Sequence, residues 1–267
     1  MSIFYFSPLL AVYMLALAFF AGACMGSFVN CIEWRIETKR GGVLGRSNCP
    51  NCSHRLGFFD LIPIFSYIFL RGKCRYCKEK IAFRYFAVEI VFGLAWAGIL
   101  AGFGLSWLTL EYLILFTAAL AASLSDIVTF EVPDTVHIIG AVNFLVFLPT
   151  HYDPLHRLIW GVVAALVYGG GFLAISLIAD KVYKKDSMGG ADIKLMAVLG
   201  LYFGLKNMLL LMIIACIVGL ILAGIMKAGW QMAFPFVPAI VISAYICIFI
   251  ADPFIKWYLG LFSLHHH

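Results

Sequence analysis

Ser187-Met188-Gly189-Gly190-Ala191-Asp192-Ile193-Lys194 is a short polar, glycine-rich break between two long apolar runs. The runs on either side are continuous rather than alternating apolar with polar. In hydrocarbon, where no water satisfies a bare backbone, continuous runs select membrane-spanning helices over the strands of a closed barrel. The rest of the chain has the same character: 63% of its 267 residues are hydrophobic and only 14 are Asp or Glu. With a mean hydropathy of +0.98, an ordinary water-soluble domain is excluded. In such a chain a carboxylate between membrane segments is costly, so Asp192 is informative and asks for a partner.

Working outward, the apolar runs predict an all-α polytopic protein embedded in the lipid bilayer, with about eight transmembrane helices. They lie near residues 7–30, 86–103, 107–125, 136–149, 158–179, 193–205, 208–226 and 236–257. No Lys or Arg precedes the run from Pro8 to Gly26, so it reads as the first span rather than as a cleaved signal peptide. Eleven of the nineteen Lys and Arg fall between Arg35 and Arg84. The positive-inside rule therefore puts residues 31–84 in the cytoplasm and the N-terminus outside. Lys181, Lys184, Lys185 and Lys227 agree with that orientation. The charge asymmetry thus describes topology, and no nucleic-acid partner is expected. The domain reading is a first transmembrane helix at 1–30, a cytoplasmic four-cysteine insertion at 31–84 and a helical membrane domain at 85–260. Residues 264–267, Leu-His-His-His, have the look of a tag remnant. Within the insertion, the apolar stretch from Phe58 to Leu70 is too short to cross and is interrupted by Pro63, which suits a surface-lying or re-entrant segment.

This topology brings Asp126, at the end of the third span, to the same cytoplasmic face as Asp192, although 66 positions separate them. Two carboxylates at one depth can share a proton and activate a water, as in aspartic proteases. Asp192 also reads as a helix N-cap after a flexible loop. Asp134, after Pro133, is the rival for the second carboxylate or an N-cap itself. Asp126 ranks first because a helix end holds a side chain more rigidly than a turn does. Gly189 and Gly190 leave room for a substrate backbone, and Lys194 either pairs with a carboxylate or marks the membrane edge. A proton-coupled transporter could use the same acids as a relay, but a relay needs them near mid-span.

Cys49-Pro50-Asn51-Cys52 and Cys74-Arg75-Tyr76-Cys77 are two C-x-x-C pairs with 21 residues between them. Four sulfur ligands leave no open coordination position, so a structural Zn²⁺ is favoured over free thiols, and a reducing cytoplasm disfavours disulfides. Such a metal staples a loop too small to build its own core. Gly22 and Gly26 have the spacing of close helix packing. Glu89, near the start of an apolar run, calls for a partner such as Arg84 or Arg35.

Further stretches complete a pattern. They are Gly26-Ser27-Phe28-Val29-Asn30, the Arg46-Ser47 before Cys49, Leu61-Ile62-Pro63-Ile64-Phe65-Ser66-Tyr67 and Arg71-Gly72-Lys73 before Cys74. Arg84-Tyr85 with Glu89 follow, then Asp126 with Val132-Pro133-Asp134, Gly189 to Leu195, and Pro235-Phe236-Val237-Pro238. In this order and over almost the whole chain, they resemble the bacterial type IV prepilin peptidases. Those enzymes are aspartic endopeptidases that also N-methylate the amine they release. The resemblance implies catalysis by Asp126 and Asp192, prepilin and pseudopilin substrates, and the bacterial inner membrane with the active site facing the cytoplasm. It also implies S-adenosylmethionine as methyl donor, for which Gly26, Asn30, Arg35 and Glu89 are the candidates. A peptidase without the methyltransferase activity is the narrower alternative. Where the family usually has Gly-x-Gly-Asp this chain has Gly189-Gly190-Ala191-Asp192, and Val237 stands where the family often has glycine.

Overall fold

The computed structural model describes residues 7–38, 45–183, 189–226 and 234–263. Ser187, Met188, Lys184, Lys185, Lys227 and the terminal residues 264–267 lie outside them. The described residues are helical without a sheet, and the chain packs as two compact units, residues 1–113 and 114–267.

In the first unit, α1 (Pro8–Glu37) and α3 (Phe83–Phe103) pack side by side. Ser7 caps α1, its Oγ accepting the Leu10 N–H at 3.4 Å, and Pro8 opens the first turn where no N–H is needed. A Cβ on Gly22 would stand 2.6 Å from the Phe92 carbonyl oxygen and 2.8 Å from Trp96, so only glycine allows the two backbones this close. Gly22→Val is expected to force the helices apart and cost about 1–3 kcal/mol, read as a lower melting temperature in detergent. Beyond Asn30 the helix continues to Glu37. Asn30 is tied to α3 there, its Nδ2 donating to the Tyr85 carbonyl at 3.1 Å, and Arg35 donates to the Gly45 carbonyl at 2.7 Å. Between α1 and α3 lie the cysteine knuckles, a short turn (Phe58–Asp60) and α2 (Phe65–Phe69).

α4 (Trp107–Thr129) begins in the first unit and continues into the second, which holds α5 (Asp134–Phe147), α6 (Pro154–Tyr183), α7 (Gly190–Ile225) and α8 (Val237–Ser263). Small residues again set the spacing: a Cβ on Gly200 of α7 would meet the Ala165 backbone nitrogen of α6 at 2.8 Å. The Tyr202 hydroxyl donates to the Gly140 carbonyl at 2.7 Å and accepts from Asn143 at 2.9 Å, joining α5 to α7 inside the apolar packing.

Six of the described helices, rather than about eight, are long and apolar enough to cross a membrane. Two expectations account for the difference. The stretch near 136–149 forms the 14-residue α5, about 21 Å long against a hydrocarbon core of about 30 Å. The two runs at 193–205 and 208–226 follow one another without a loop in the 36-residue stretch Gly190–Ile225, two helical pieces that meet at a kink and make one candidate span. At that kink Gly204 has φ 63° and ψ −178°, a region open essentially to glycine alone. Beside the break, the Tyr168 hydroxyl donates to the Leu205 carbonyl at 2.7 Å.

Candidate functional site

The second unit builds its site from three helix ends. α4 closes just after Asp126: the Phe130 N–H donates to the Asp126 carbonyl at 3.1 Å, and Phe130 itself takes a left-handed φ of 56°. The Ser125 and Thr129 hydroxyls both donate to the Glu131 carbonyl, at 2.7 and 3.1 Å, so the exit turn is pinned before Pro133 starts α5. Asp126 is thereby held inward and is only 8% exposed. Its Oδ2 accepts the Val237 N–H at 3.1 Å. Val237 opens α8, so the carboxylate takes one of the donors that a helix start leaves without an intrahelical partner, at the positive end of the helix dipole.

Asp192 lies in the first turn of α7, where Gly189 is the N-cap, so the aspartate is not the cap itself. Its carboxylate is in electrostatic reach of Asp126, which brings together the two acids that the topology put at one face. A Cβ on Gly189 would lie 3.4 Å from Asp192 Oδ2, whereas Gly190 faces open space. Asp134 goes elsewhere: its Oδ1 receives Lys194 Nζ at 2.6 Å, with the two side chains 68% and 54% exposed. Exposed pairs of this kind contribute about 0–1 kcal/mol. Asp134→Asn should therefore move the unfolding midpoint little, and a thermal melt checks it. The Val237 N–H is the part of this site that side-chain reasoning missed. The available signal was Pro235 and Pro238, since proline close to a helix start marks where free N–H groups point.

In the first unit the four cysteine sulfurs lie within 4.8 Å of one another. Each pair forms the same knuckle. The Cys49 N–H donates to the His54 carbonyl and the Ser53 N–H to the Cys49 carbonyl, both at 2.9 Å. The Cys74 N–H donates to Glu79 and the Lys78 N–H to Cys74, at 2.8 and 3.0 Å. Ser53 and Lys78 share a positive φ, 56° and 62°. The Cys49 and Cys77 sulfurs are 3.9 Å apart, close to the edge of about 3.8 Å that a tetrahedron with Zn–S bonds of about 2.3 Å requires. Burial pushes the Cys74 thiol up, but the Cys77 and Tyr76 N–H groups and the neighbouring thiols outweigh it and bring it down to about 7. At Cys77 the Glu79 backbone pulls the thiol down, yet burial and the other three cysteines raise it to about 11. The separation of the Cys74 and Cys77 thiols, about 7 against about 11, shows that ionising one sulfur opposes ionising its neighbour; a cation among the four would remove that opposition, which is the behaviour of a metal centre.

Beside the knuckles is a cavity of about 390 Å³ lined by Asn30, Trp34, Cys49, Cys74, Tyr85 and Glu89, among others. Asn30, one of the lining residues, has a buried Oδ1 without a hydrogen-bond partner among the described residues. Glu89 does not turn to Arg84 or Arg35: its Oε2 accepts the Ile64 N–H at 2.7 Å, with the Ser27 hydroxyl also bonded to it. Of the four donor-site candidates, Asn30 and Glu89 line the cavity. Gly26 packs against the α3 backbone near Glu89, and Arg35 reaches Gly45.

Residues 20–103 match the bacterial peptidase A24 N-terminal domain, and residues 113–224 match the type IV leader peptidase family. The prepilin leader peptidase/N-methyltransferase of Neisseria gonorrhoeae is 30% identical over 272 residues, spanning 91% of this chain and 92% of that protein. The protein of the same name from Bacillus subtilis (strain 168) is 29% identical over 254 residues, 93% of this chain and 99% of its own. The type 4 prepilin-like proteins leader peptide-processing enzyme of Escherichia coli O78:H11 is 30% identical over 252 residues, 88% and 93%. No solved structure matches the chain. Six apolar helices and these relatives describe a multi-pass inner-membrane protein. By full-length similarity to such relatives, and by the match of its second half, the chain belongs to the type IV leader peptidase family.

Proposed function

We propose that this protein cleaves the basic leader from prepilins and pseudopilins and N-methylates the amine so exposed, with Asp126 and Asp192 as the catalytic carboxylates. The observation that carries this reading is a buried Asp126 that accepts the Val237 N–H while in electrostatic reach of Asp192. Asp134, by contrast, is solvent-exposed and occupied by Lys194. One carboxylate takes a proton from water as the oxygen attacks the scissile carbonyl. The other, protonated, hydrogen-bonds to the carbonyl oxygen as negative charge develops there, and the proton passes on to the leaving amine. Gly189 and Gly190 let an extended peptide approach the backbone, and the Lys194–Asp134 pair ties the start of α7 to the start of α5.

In this reading residues 31–84 are a cytoplasmic zinc-stapled domain and residues 85–260 the membrane peptidase. The N-terminus is outside and the catalytic pair faces the cytoplasm, as the charge pattern supports. Cys49, Cys52, Cys74 and Cys77 hold a structural Zn²⁺. S-adenosylmethionine, when bound, supplies the methyl group. Asn30 Oδ1 offers it a free acceptor, Glu89 a negative charge against its sulfonium and Trp34 and Tyr85 apolar faces, while Gly26 and Arg35 shape the wall behind. The test is a purified prepilin in liposomes with the wild-type chain, followed by mass spectrometry. A leader-free product, methylated only when S-adenosylmethionine is added, is expected; an uncleaved precursor overturns the reading.

A further inference from the structure

Residues 58–70 are the most apolar stretch outside the membrane helices of the first unit, and they face outward. Phe58 and Phe69 are 79% and 80% exposed, and Phe59, Phe65 and Ile68 are exposed beside them. These side chains are gathered rather than scattered. Phe59, Ile62, Phe65 and Phe69 line one groove with Arg75 at its edge, and Phe58 and Phe59 meet edge to face. A contiguous aromatic patch of this kind is unfavourable in water and marks a contact surface.

Its root is fixed to the start of a helix long and apolar enough to cross a membrane. The Ile64 N–H is held at 2.7 Å by Glu89, a residue in the second turn of the membrane helix α3, and Pro63 is buried next to it. The flanking charge is mostly positive. Arg55, Arg71, Lys73, Arg75, Lys78 and Lys80 are exposed, against Glu79 as the exposed acid over residues 55–80, while Asp60 is bound to Arg75 at 2.6 Å.

We propose that residues 58–70, with the surrounding bases, form a docking surface for anionic phospholipid. Phe58, Phe59, Phe65 and Phe69 enter the headgroup–acyl boundary of the leaflet that α3 enters, and the Lys and Arg side chains pair with lipid phosphates. Lipid is the occupant because aromatic side chains, net positive charge and attachment at α3 coincide in one segment; a basic peptide would be repelled by the same cations. The segment is too short to span, so it lies in the interface. Leu61, Ser66, Tyr67 and Leu70 of this segment also line the cavity that holds Asn30 and Glu89. Its two sides therefore serve lipid and cavity wall together, and docking orders both.

The experiment places photoreactive benzoylphenylalanine at position 59 or 69 of the full chain. The protein is reconstituted in phosphatidylcholine vesicles with or without phosphatidylglycerol, irradiated, and the adducts identified by mass spectrometry. Lipid adducts are expected, more abundant with phosphatidylglycerol and reduced by high salt. Arg71→Ser and Lys73→Ser should each lower the docked-to-undocked ratio about fivefold, with zinc content unchanged as the check on folding. A variant-free arm measures hydrogen exchange of residues 58–70 in the wild type, expected to be slower with phosphatidylglycerol. Adducts to an added prepilin or a second copy of the chain, no lipid adduct at either position, or yields and exchange rates indifferent to phosphatidylglycerol each overturn the proposal.

Discussion

Asp126→Asn and Asp192→Asn are each expected to lower the rate of leader cleavage by at least about 10²–10⁴-fold, leaving helicity and precursor binding intact. Asparagine keeps the size and the hydrogen-bond acceptor that the Val237 N–H requires at Asp126, so the loss reports proton transfer rather than collapse of the site. Neither amide can take a proton from water or present an acidic O–H to the carbonyl. Asp134→Asn is the internal control: with its partner Lys194 also in solvent, its effect on cleavage should stay within about fivefold. Single-turnover cleavage of a purified prepilin, scored by mass spectrometry, separates the three. Normal cleavage by either the Asp126 or the Asp192 variant would remove the pair from the chemistry, and loss at Asp134 alone would transfer the second role there.

Removal of the zinc proposed for the four cysteines is expected to have the largest effect on stability. The four sulfurs draw together two knuckles whose other ties are backbone hydrogen bonds, the isolated bridges Asn48 to Arg55 and Lys73 to Lys80, the His54–Tyr76 ring contact and the bonds from Arg75 and Tyr76 to Asp60. A loop of this size lacks a core of its own, and structural zinc sites contribute about 10–16 kcal/mol in comparable small modules. Chelation, or Cys74→Ser, should therefore unfold the knuckles, seen as fast hydrogen exchange over residues 47–81 and loss of bound metal. Because Cys49 and Cys74 also line the cavity with Asn30 and Glu89, binding of S-adenosylmethionine measured by calorimetry should vanish with the metal. Prepilin cleavage should fall less, its two carboxylates belonging to the other unit. Full donor binding by a metal-free protein would locate the methyl donor elsewhere.

Much of this was legible in the sequence because hydrophobic burial and metal ligation leave local signatures. Continuous apolar runs predicted membrane helices, since a bilayer demands about twenty apolar residues in succession. The two C-x-x-C pairs identified a four-sulfur cluster, since a knuckle brings residues i and i+3 to one point. Asp126 and Asp192 drew attention because acids are rare in such a chain, and charge-based topology brought them to one side before any packing was known.

What hydropathy left open is the geometry at the breaks. Gly204 is one glycine among 24. Only its φ of 63° and ψ of −178° break the stretch Gly190–Ile225 into two helical pieces, close to the boundary between the two expected spans. Glu89 was expected to seek a cation and instead takes a backbone N–H from Ile64 and a hydroxyl from Ser27, because either donor satisfies a carboxylate and no spacing rule says which is nearer. The donor to Asp126 likewise comes from a main chain 111 positions away. By itself the sequence determined the membrane helices, the cysteine centre and the acids worth watching, because each rests on side-chain chemistry at short range. The tertiary structure alone decided where the helices bend, which backbone donors meet the carboxylates, and that Asn30 and Glu89 share a cavity with the cysteines. Those depend on contacts between distant segments, and a backbone N–H has no letter in the sequence.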